Sequence, residues 1–184
     1  MKSDSNITIK EVISSDELKK FVMFPHTLYK DSKYWVAPII KEELEVLNKE
    51  TNPVFNNAVA NYFLAYIDGE IVGRIAALIN WIEVKDLKKK KVRFGWFDFI
   101  DDQNVSKALL EKVIEIGKKN NLEFIEGPVG FSNMDKAGML IKGFEKKNTM
   151  ITMYNYSYYQ NHMKAHGYSK LAEWVEYELK IANY

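Results

Sequence analysis

Hydrophobic and polar positions recur along the chain with periods that predict its elements. Ile7, Ile9 and Val12 give a short β-like opening, and Ser14 and Glu17 have the spacing of a helix capping box. The helix that follows places Leu18, Phe21 and Val22 on one face; Pro25, which lacks an N–H, predicts its end or a kink near Phe24. Pro38 opens a second helical stretch over 39–47, with Ile40, Leu44 and Leu47 on one side and Lys41, Glu42, Glu43 and Glu45 in solvent. Tyr62 to Ile67 and Ile71 to Asn80 read as two strands around a tight Asp68-Gly69 turn. Trp81 to Lys91, with the lysine run Lys88 to Lys91, reads as a solvated hairpin loop. Val92 to Ile100 is apolar on both faces, Phe94 and Trp96 on one and Phe97 and Phe99 on the other, as a central strand between two helical layers requires. Val105, Ala108, Leu109, Val113 and Ile116 trace an amphipathic helix over 104–119 with Asn104 as its cap. Phe124-Ile125 begins another strand that runs through Gly127-Pro128 into a long glycine-rich connection. Tyr158 to His166 predicts a helix closed by Gly167, and Trp174 to Ile181 alternates like a final strand.

A chain of 184 residues is long enough for one domain that buries about 70% of its unfolded surface. The absence of cysteine removes thiolate nucleophiles, zinc fingers, iron–sulfur clusters and disulfides at once. The 26 basic and 25 acidic side chains nearly cancel, and Arg74 and Arg93 are the only arginines, so neither nucleic acid nor an anionic membrane is an expected partner. The longest apolar run, Ile75 to Ile82, is too short to span a bilayer, and the opening residues lack the apolar stretch of a secretory signal. A cytoplasmic protein is the resulting expectation.

Six strings carry more specific information: FPHTLYKDSKYWVAP at Phe24 to Pro38, NPVF at Asn52, FLAYIDGEIVGRIAALIN at Phe63 to Asn80, GP at Gly127, DKAGMLIKGF at Asp135 to Phe144, and NYSYYQNHMKAHGY at Asn155 to Tyr168. Together with the element order β, α, α, β, β, β, α, β, α, β, they resemble an uncharacterised bacterial family within the GNAT superfamily of acyl-CoA-dependent N-acyltransferases. The resemblance implies an α/β (α+β) fold with a mixed, mostly antiparallel central sheet, helices on both faces, and a splay between the fourth and fifth strands. Members of that family are commonly longer, so residues 1–184 are expected to form a single GNAT-like domain, or one that serves as the N-terminal half of a longer architecture.

The chemistry implied is transfer of an acetyl group from acetyl-CoA, leaving CoA, to a small-molecule amine. In the superfamily the pyrophosphate rests on backbone N–H groups at the start of the helix after strand four, usually within an Arg/Gln-x-x-Gly-x-Gly/Ala loop. The corresponding residues here run Asp101-Asp102-Gln103-Asn104-Val105-Ser106, without glycine or arginine and with two carboxylates where phosphate charge would arrive. Phe99 and Ile100 at the strand end and Asn104, Val105 and Ser106 at the helix start are the candidate CoA contacts. Simple capping of those N–H groups by Asp102 or Asn104 is the competing reading.

Tyr158 and Tyr159 are the candidate acids for a departing thiolate, against a role as packing anchors. Asp98 interrupts the apolar central strand and is the candidate base, because burial beside a cleft suits a carboxylate to proton transfer; a strand-end carboxylate bonded to backbone is the alternative. Asn133 and Asp135, among Gly130, Gly138 and Gly143, are the candidate substrate contacts, against self-bonded turn residues. His162 and His166 have the spacing to share a metal, but Met163 replaces the Glu of the zinc motif; they are read as polar-face or helix-end residues, and no metal is expected. The rival function is a catalytically silent module that binds a ligand or partner domain through Gly127 to Phe144 and an aromatic surface around Tyr154 to Tyr159. Exposed aromatics at Trp35 or Tyr156 would suit a homodimer or a partner domain. An amino-acyl transferase built from paired modules is a third reading and requires a second half.

Overall fold

The computed structural model describes residues 6–132, 134–149, 152–177 and 179. The elements are β1 (Thr8–Glu11), α1 (Ser15–Leu28), α2 (Ile40–Leu47), a 3-10 turn (Pro53–Asn56), β2 (Ala58–Ile67), β3 (Glu70–Asn80), α3 (Trp81–Lys85), β4 (Lys91–Phe99), α4 (Gln103–Lys119), β5 (Phe124–Glu126) and α5 (Tyr159–Ala165). They form one five-stranded sheet in sequence order; β1 to β4 are antiparallel and β5 is parallel to β4. The α/β architecture, with its mixed sheet covered on both faces, is the expected one.

Local chemistry explains most boundaries. The Ser14 hydroxyl accepts from Glu17 N while the Glu17 carboxylate accepts from Ser14 N, closing the capping box that starts α1. Asp68 and Gly69 have φ of 50° and 87°, and the β2–β3 hairpin turns through these two left-handed residues. Apolar side chains of β3 and β4 pack against Val105, Leu109 and Val113 of α4 on one face. On the other, β2 and β3 pack against Phe21 and Val22 of α1 and Leu47 of α2.

Several expectations are corrected. Helix α1 does not stop at Pro25 but continues to Leu28. Proline cannot donate to the carbonyl four residues back, and that Phe21 carbonyl instead accepts from Arg74 Nη1 at 2.9 Å. The supposed loop after β3 contains α3, capped by Asn80, whose side-chain oxygen accepts from Ile82 N. Lys91 is not solvated; it begins β4 and is buried between Glu83 and Glu126 at 3.1 and 2.9 Å. Arg93 joins the same cluster through Glu83 and donates to the Gly130 carbonyl, which pins β5 and the following loop to β4. Pairing of β4 with β5 covers only Lys91 to Arg93.

The alternation along β4 is also broken. Between Arg74↔Asp98 and Ala76↔Gly95, β4 carries one residue more than β3, a bulge at Trp96, whose φ is 45°. The extra residue flips the parity, so Phe94 packs with Phe97 and Phe99 on the α4 face, and Trp96 turns to Phe131 on the other. The cap of α4 is Asp102, whose carboxylate accepts from Asn104 N at 2.8 Å, and not Asn104. Trp174 to Tyr177 form no strand; the rest of the expected final strand, apart from Leu179, lies outside the described residues.

Candidate functional site

A buried hydrogen-bonded chain crosses the sheet beside the Trp96 bulge. Asp98 on β4 faces Arg74 on β3, a lone acid and a lone base opposite each other in two apolar strands. Arg74 Nε and Nη2 both converge on Asp98 Oδ2 at 2.7 Å, and Tyr29 Oη donates to Oδ1 at 2.8 Å. Tyr29 at the end of α1 meets Tyr159 of α5, oxygen to oxygen, at 2.7 Å. Because an ion-paired carboxylate only accepts, the Tyr29 proton points to Asp98, and the proton between the phenols belongs to Tyr159. Phe99 N then donates to the Tyr159 oxygen at 3.2 Å. The result is a directed sequence, Phe99 N–H to Tyr159 to Tyr29 to Asp98, with no proton unassigned. Burial, with the nearby Asp98 charge second, pushes the Tyr29 and Tyr159 hydroxyls well above the usual phenol range, so both remain protonated at neutral pH.

Of the expected catalytic residues, Asp98 and Tyr159 are therefore joined. Asp98 is not a free base, and its partners are side chains rather than backbone N–H groups. Tyr158 lies apart from the chain: its hydroxyl donates to the Phe99 carbonyl at 2.5 Å, and burial raises its pKa. Tyr158 and Tyr159 thus cover both backbone groups of Phe99 on the edge of β4 turned away from β3. Ile100, one residue on, turns its N–H to Val72 of β3 instead. That edge is the one an amide-bearing ligand such as pantetheine would have to reach, and in this structure the two tyrosine hydroxyls occupy it.

The start of α4 fits a pyrophosphate less well. Asn104 N is held by the Asp102 side chain and Ser106 N by the Asp102 carbonyl, so two of the three expected donors are already engaged by Asp102. Asp101 is turned to His162 Nε2 at 2.9 Å. The two histidines share a hydroxyl: Ser106 Oγ lies 2.8 Å from His162 Nδ1 and 2.8 Å from His166 Nε2. His162 is buried, not on a polar face, and this cluster ties α5 to the start of α4. Among the described residues no group of three or more His, Asp or Glu is placed to hold a metal ion. No helix among them is long and apolar enough to cross a membrane.

Asp98, Arg74 and Tyr29 line a cavity of about 180 Å³ between α1, α2, β4 and the glycine-rich connection. Trp35, Val36, Val46 and Met153 give it apolar walls, and Glu43, Asp135 and Lys136 are its other charged residues. A smaller void of about 10 Å³, bordered by Tyr159 and Met139, shares Asp98, Met153 and Tyr154 with this cavity. The expected substrate residue Asp135 does line the larger cavity, but its Oδ2 accepts from Ser132 N at 2.7 Å and closes the turn. Asn133 lies outside the described residues. Asn155, which sequence reasoning passed over, is buried and clasps the connection through Leu140 N and Leu140 O. Tyr154 and Tyr159 are buried and Trp35, Tyr156 and Tyr158 are half-buried, so the expected aromatic surface is mostly an interior wall.

Comparison with known proteins fits this geometry. No protein-family profile matches the sequence. It is 30% identical over 172 residues to Protein YghO of Escherichia coli, covering 91% of this chain and 44% of that protein. It is 25% identical over 177 residues to the bacterial ceramide synthase of Caulobacter vibrioides, covering 96% and 46%. The chain therefore spans less than half the length of these curated relatives. Among solved structures, a predicted acetyltransferase from Clostridium acetobutylicum with acetyl-CoA matches with a TM-score of 0.58 at 13% identity, covering 94% of this chain and 96% of that one. An aminoglycoside acetyltransferase from an uncultured soil metagenomic sample, in complex with sisomicin, gives 0.53 at 13% identity, covering 95% and 97%. At such identities the likeness is one of architecture. The match extends over nearly the whole of both chains, and this chain has the fold of the GNAT superfamily.

Proposed function

We propose that the chain is an acyl-CoA-dependent N-acyltransferase domain that moves an acyl group, acetyl in the simplest case, from a CoA thioester to an amine held in the 180 Å³ cavity. The observation that carries this reading is the hydrogen-bonded sequence from Asp98 through Tyr29 to Tyr159, because amide formation must take a proton from the amine and supply one to the leaving thiolate. Asp98 lines both the cavity and the smaller void that Tyr159 borders. Phe99 would hold the thioester arm if the two tyrosine hydroxyls yield its N–H and C=O to a ligand amide, and the Val105 N–H at the start of α4 would donate to the phosphates; when bound, the CoA thioester supplies the activated acyl carbonyl. Tyr159 gives its proton at Oη, Tyr29 turns its own toward the Tyr159 oxygen, and Asp98 takes up the proton shed by the amine and returns it to Tyr29. Each group ends with the protons it began with. Arg74 stays out of the transfer and acts as a positioning residue for the carboxylate.

The relatives support the bond type. One bears the name of a ceramide synthase, and a ceramide is an amide of a long-chain amino alcohol. The acting unit is read as one GNAT-like domain over 1–184. The test is calorimetric titration of the purified protein with acetyl-CoA and with CoA at low salt. Saturable binding is the expected result. No binding would overturn the reading and favour the silent module, in which Asp101→Gly with Asp102→Arg is neutral and substitutions at Asn133 or Asp135 alter ligand binding.

A further inference from the structure

Trp96 and Glu43 form a contact that the acyl-transfer chemistry leaves unused. A bulky residue at φ 45° is a costly backbone conformation, of order 1–3 kcal/mol. Its effect here is to carry the indole across the sheet, where Nε1 donates to Glu43 Oε2 at 2.7 Å. Glu43 is thereby fixed on α2 as a wall of the large cavity, with one oxygen committed. The other oxygen, Oε1, lies 3.9 Å from Lys136 Nζ, too far for a hydrogen bond but close enough for attraction between charges. The carboxylate side chain is 17% exposed and the lysine side chain 45%, so the lysine can leave at less cost than the glutamate can turn. The neighbouring walls, Val36, Val46 and Met153, are apolar.

We propose that Glu43 Oε1 is the docking point for the ammonium form of the acceptor, a primary amine on an apolar chain, and that Lys136 occupies this point in the free protein. Trp96 is the positioning residue: its left-handed backbone sets the carboxylate, and its hydrogen bond keeps the second oxygen for the ligand. The proposal rests on the acyl-transfer reading for the word acceptor, but amine binding at Glu43 does not require transfer to occur.

The test uses n-octylamine and n-octanol as probes, with the Trp96 indole N–H resonance as the readout. Octylamine is expected to shift that resonance saturably and to bind at least about tenfold tighter than octanol, as a charge-assisted hydrogen bond implies. Glu43→Gln retains an acceptor for the indole and should erase the preference for the amine while leaving octanol binding unchanged. Lys136→Met should tighten octylamine several-fold by removing the internal competitor. An amine preference that survives in Glu43→Gln, or an indole resonance that octylamine does not move, would overturn the proposal. Octylamine binding without acetyl-CoA binding would sink the transfer reading and leave this site standing.

Discussion

Arg74 replaces the hydrogen-bond donor that Pro25 lacks: its Nη1 meets the Phe21 carbonyl that an ordinary residue at position 25 would have bonded within the helix. One guanidinium thus keeps α1 intact through a proline and neutralises Asp98. The two sites predict a thermodynamic coupling. Arg74→Met leaves a buried carboxylate without its counter-charge and a buried carbonyl without its donor, and should cost about 3–5 kcal/mol. In a Pro25→Ala background the new N–H takes over the carbonyl, and the same substitution should cost less by about 1 kcal/mol. Urea unfolding of the four proteins measures the difference, and strict additivity would show that the Phe21 contact contributes nothing.

Tyrosine ionisation reports on the buried chain without any assay of activity. Of the 11 tyrosines, Tyr29, Tyr62, Tyr158 and Tyr159 all have pKa values raised first by burial. Their folded values lie above the unfolded one of about 10, so the stability they contribute is complete below that pH and is lost as pH rises through the folded values. An alkaline titration should show the exposed phenols ionising first, followed by a cooperative step in which the buried group ionises with unfolding. Smooth titration of all tyrosines near pH 10 in the folded protein would contradict the network.

The Ser106 cluster predicts sensitivity on the acid side. Burial, then the charge of neighbouring His162 and of Lys107, lowers the His166 pKa, and burial with Arg74 lowers that of His26. Both values are depressed, so the unfolded chain binds these protons more readily; the stability they contribute is complete above about pH 6.5 and is lost as pH falls through the folded values. The melting temperature should therefore drop between about pH 7 and 5, and drop less in His166→Gln. Parallel curves for the two proteins would exclude His166 as a source.

Gly130 is required by close approach rather than by its backbone angle. A Cβ there would stand 2.5 Å from Asp135 Cβ and 2.9 Å from its Cγ. Gly130→Ala should displace Asp135 from Ser132 N, loosen the cavity wall that carries Lys136, and destabilise the protein by about 1–3 kcal/mol in chemical denaturation. A neutral substitution would mean that the connection adapts freely and does not define the cavity.

The sequence showed the elements better than it showed their partners. Capping box, hairpin turn and amphipathic α4 were legible because their signals are local. The helix end that Pro25 suggested did not occur, because the donor that takes the Phe21 carbonyl comes from β3. The Trp96 bulge was invisible to alternation, since one added residue changes the face of Phe94 without changing its hydrophobicity. Asp98 stood out as a charge in an apolar strand; the signal that could have completed it was Arg74, equally isolated in the preceding strand. Tyr29 gave no such signal, being one aromatic among many at the end of α1. The histidine spacing correctly placed two imidazoles together, while the shared Ser106 hydroxyl depended on how α5 meets α4.

The most direct measurement is release of free CoA thiol when the protein is mixed with CoA thioesters, from acetyl to palmitoyl, in the presence and absence of n-octylamine. Amine-dependent thiol release that is strongly reduced in Tyr159→Phe and in Asp98→Asn, with thioester binding retained in both, is the predicted result. Saturable thioester binding with no amine-dependent release for any of these chain lengths, or release unchanged in both variants, would contradict an acyl transfer run through Asp98, Tyr29 and Tyr159.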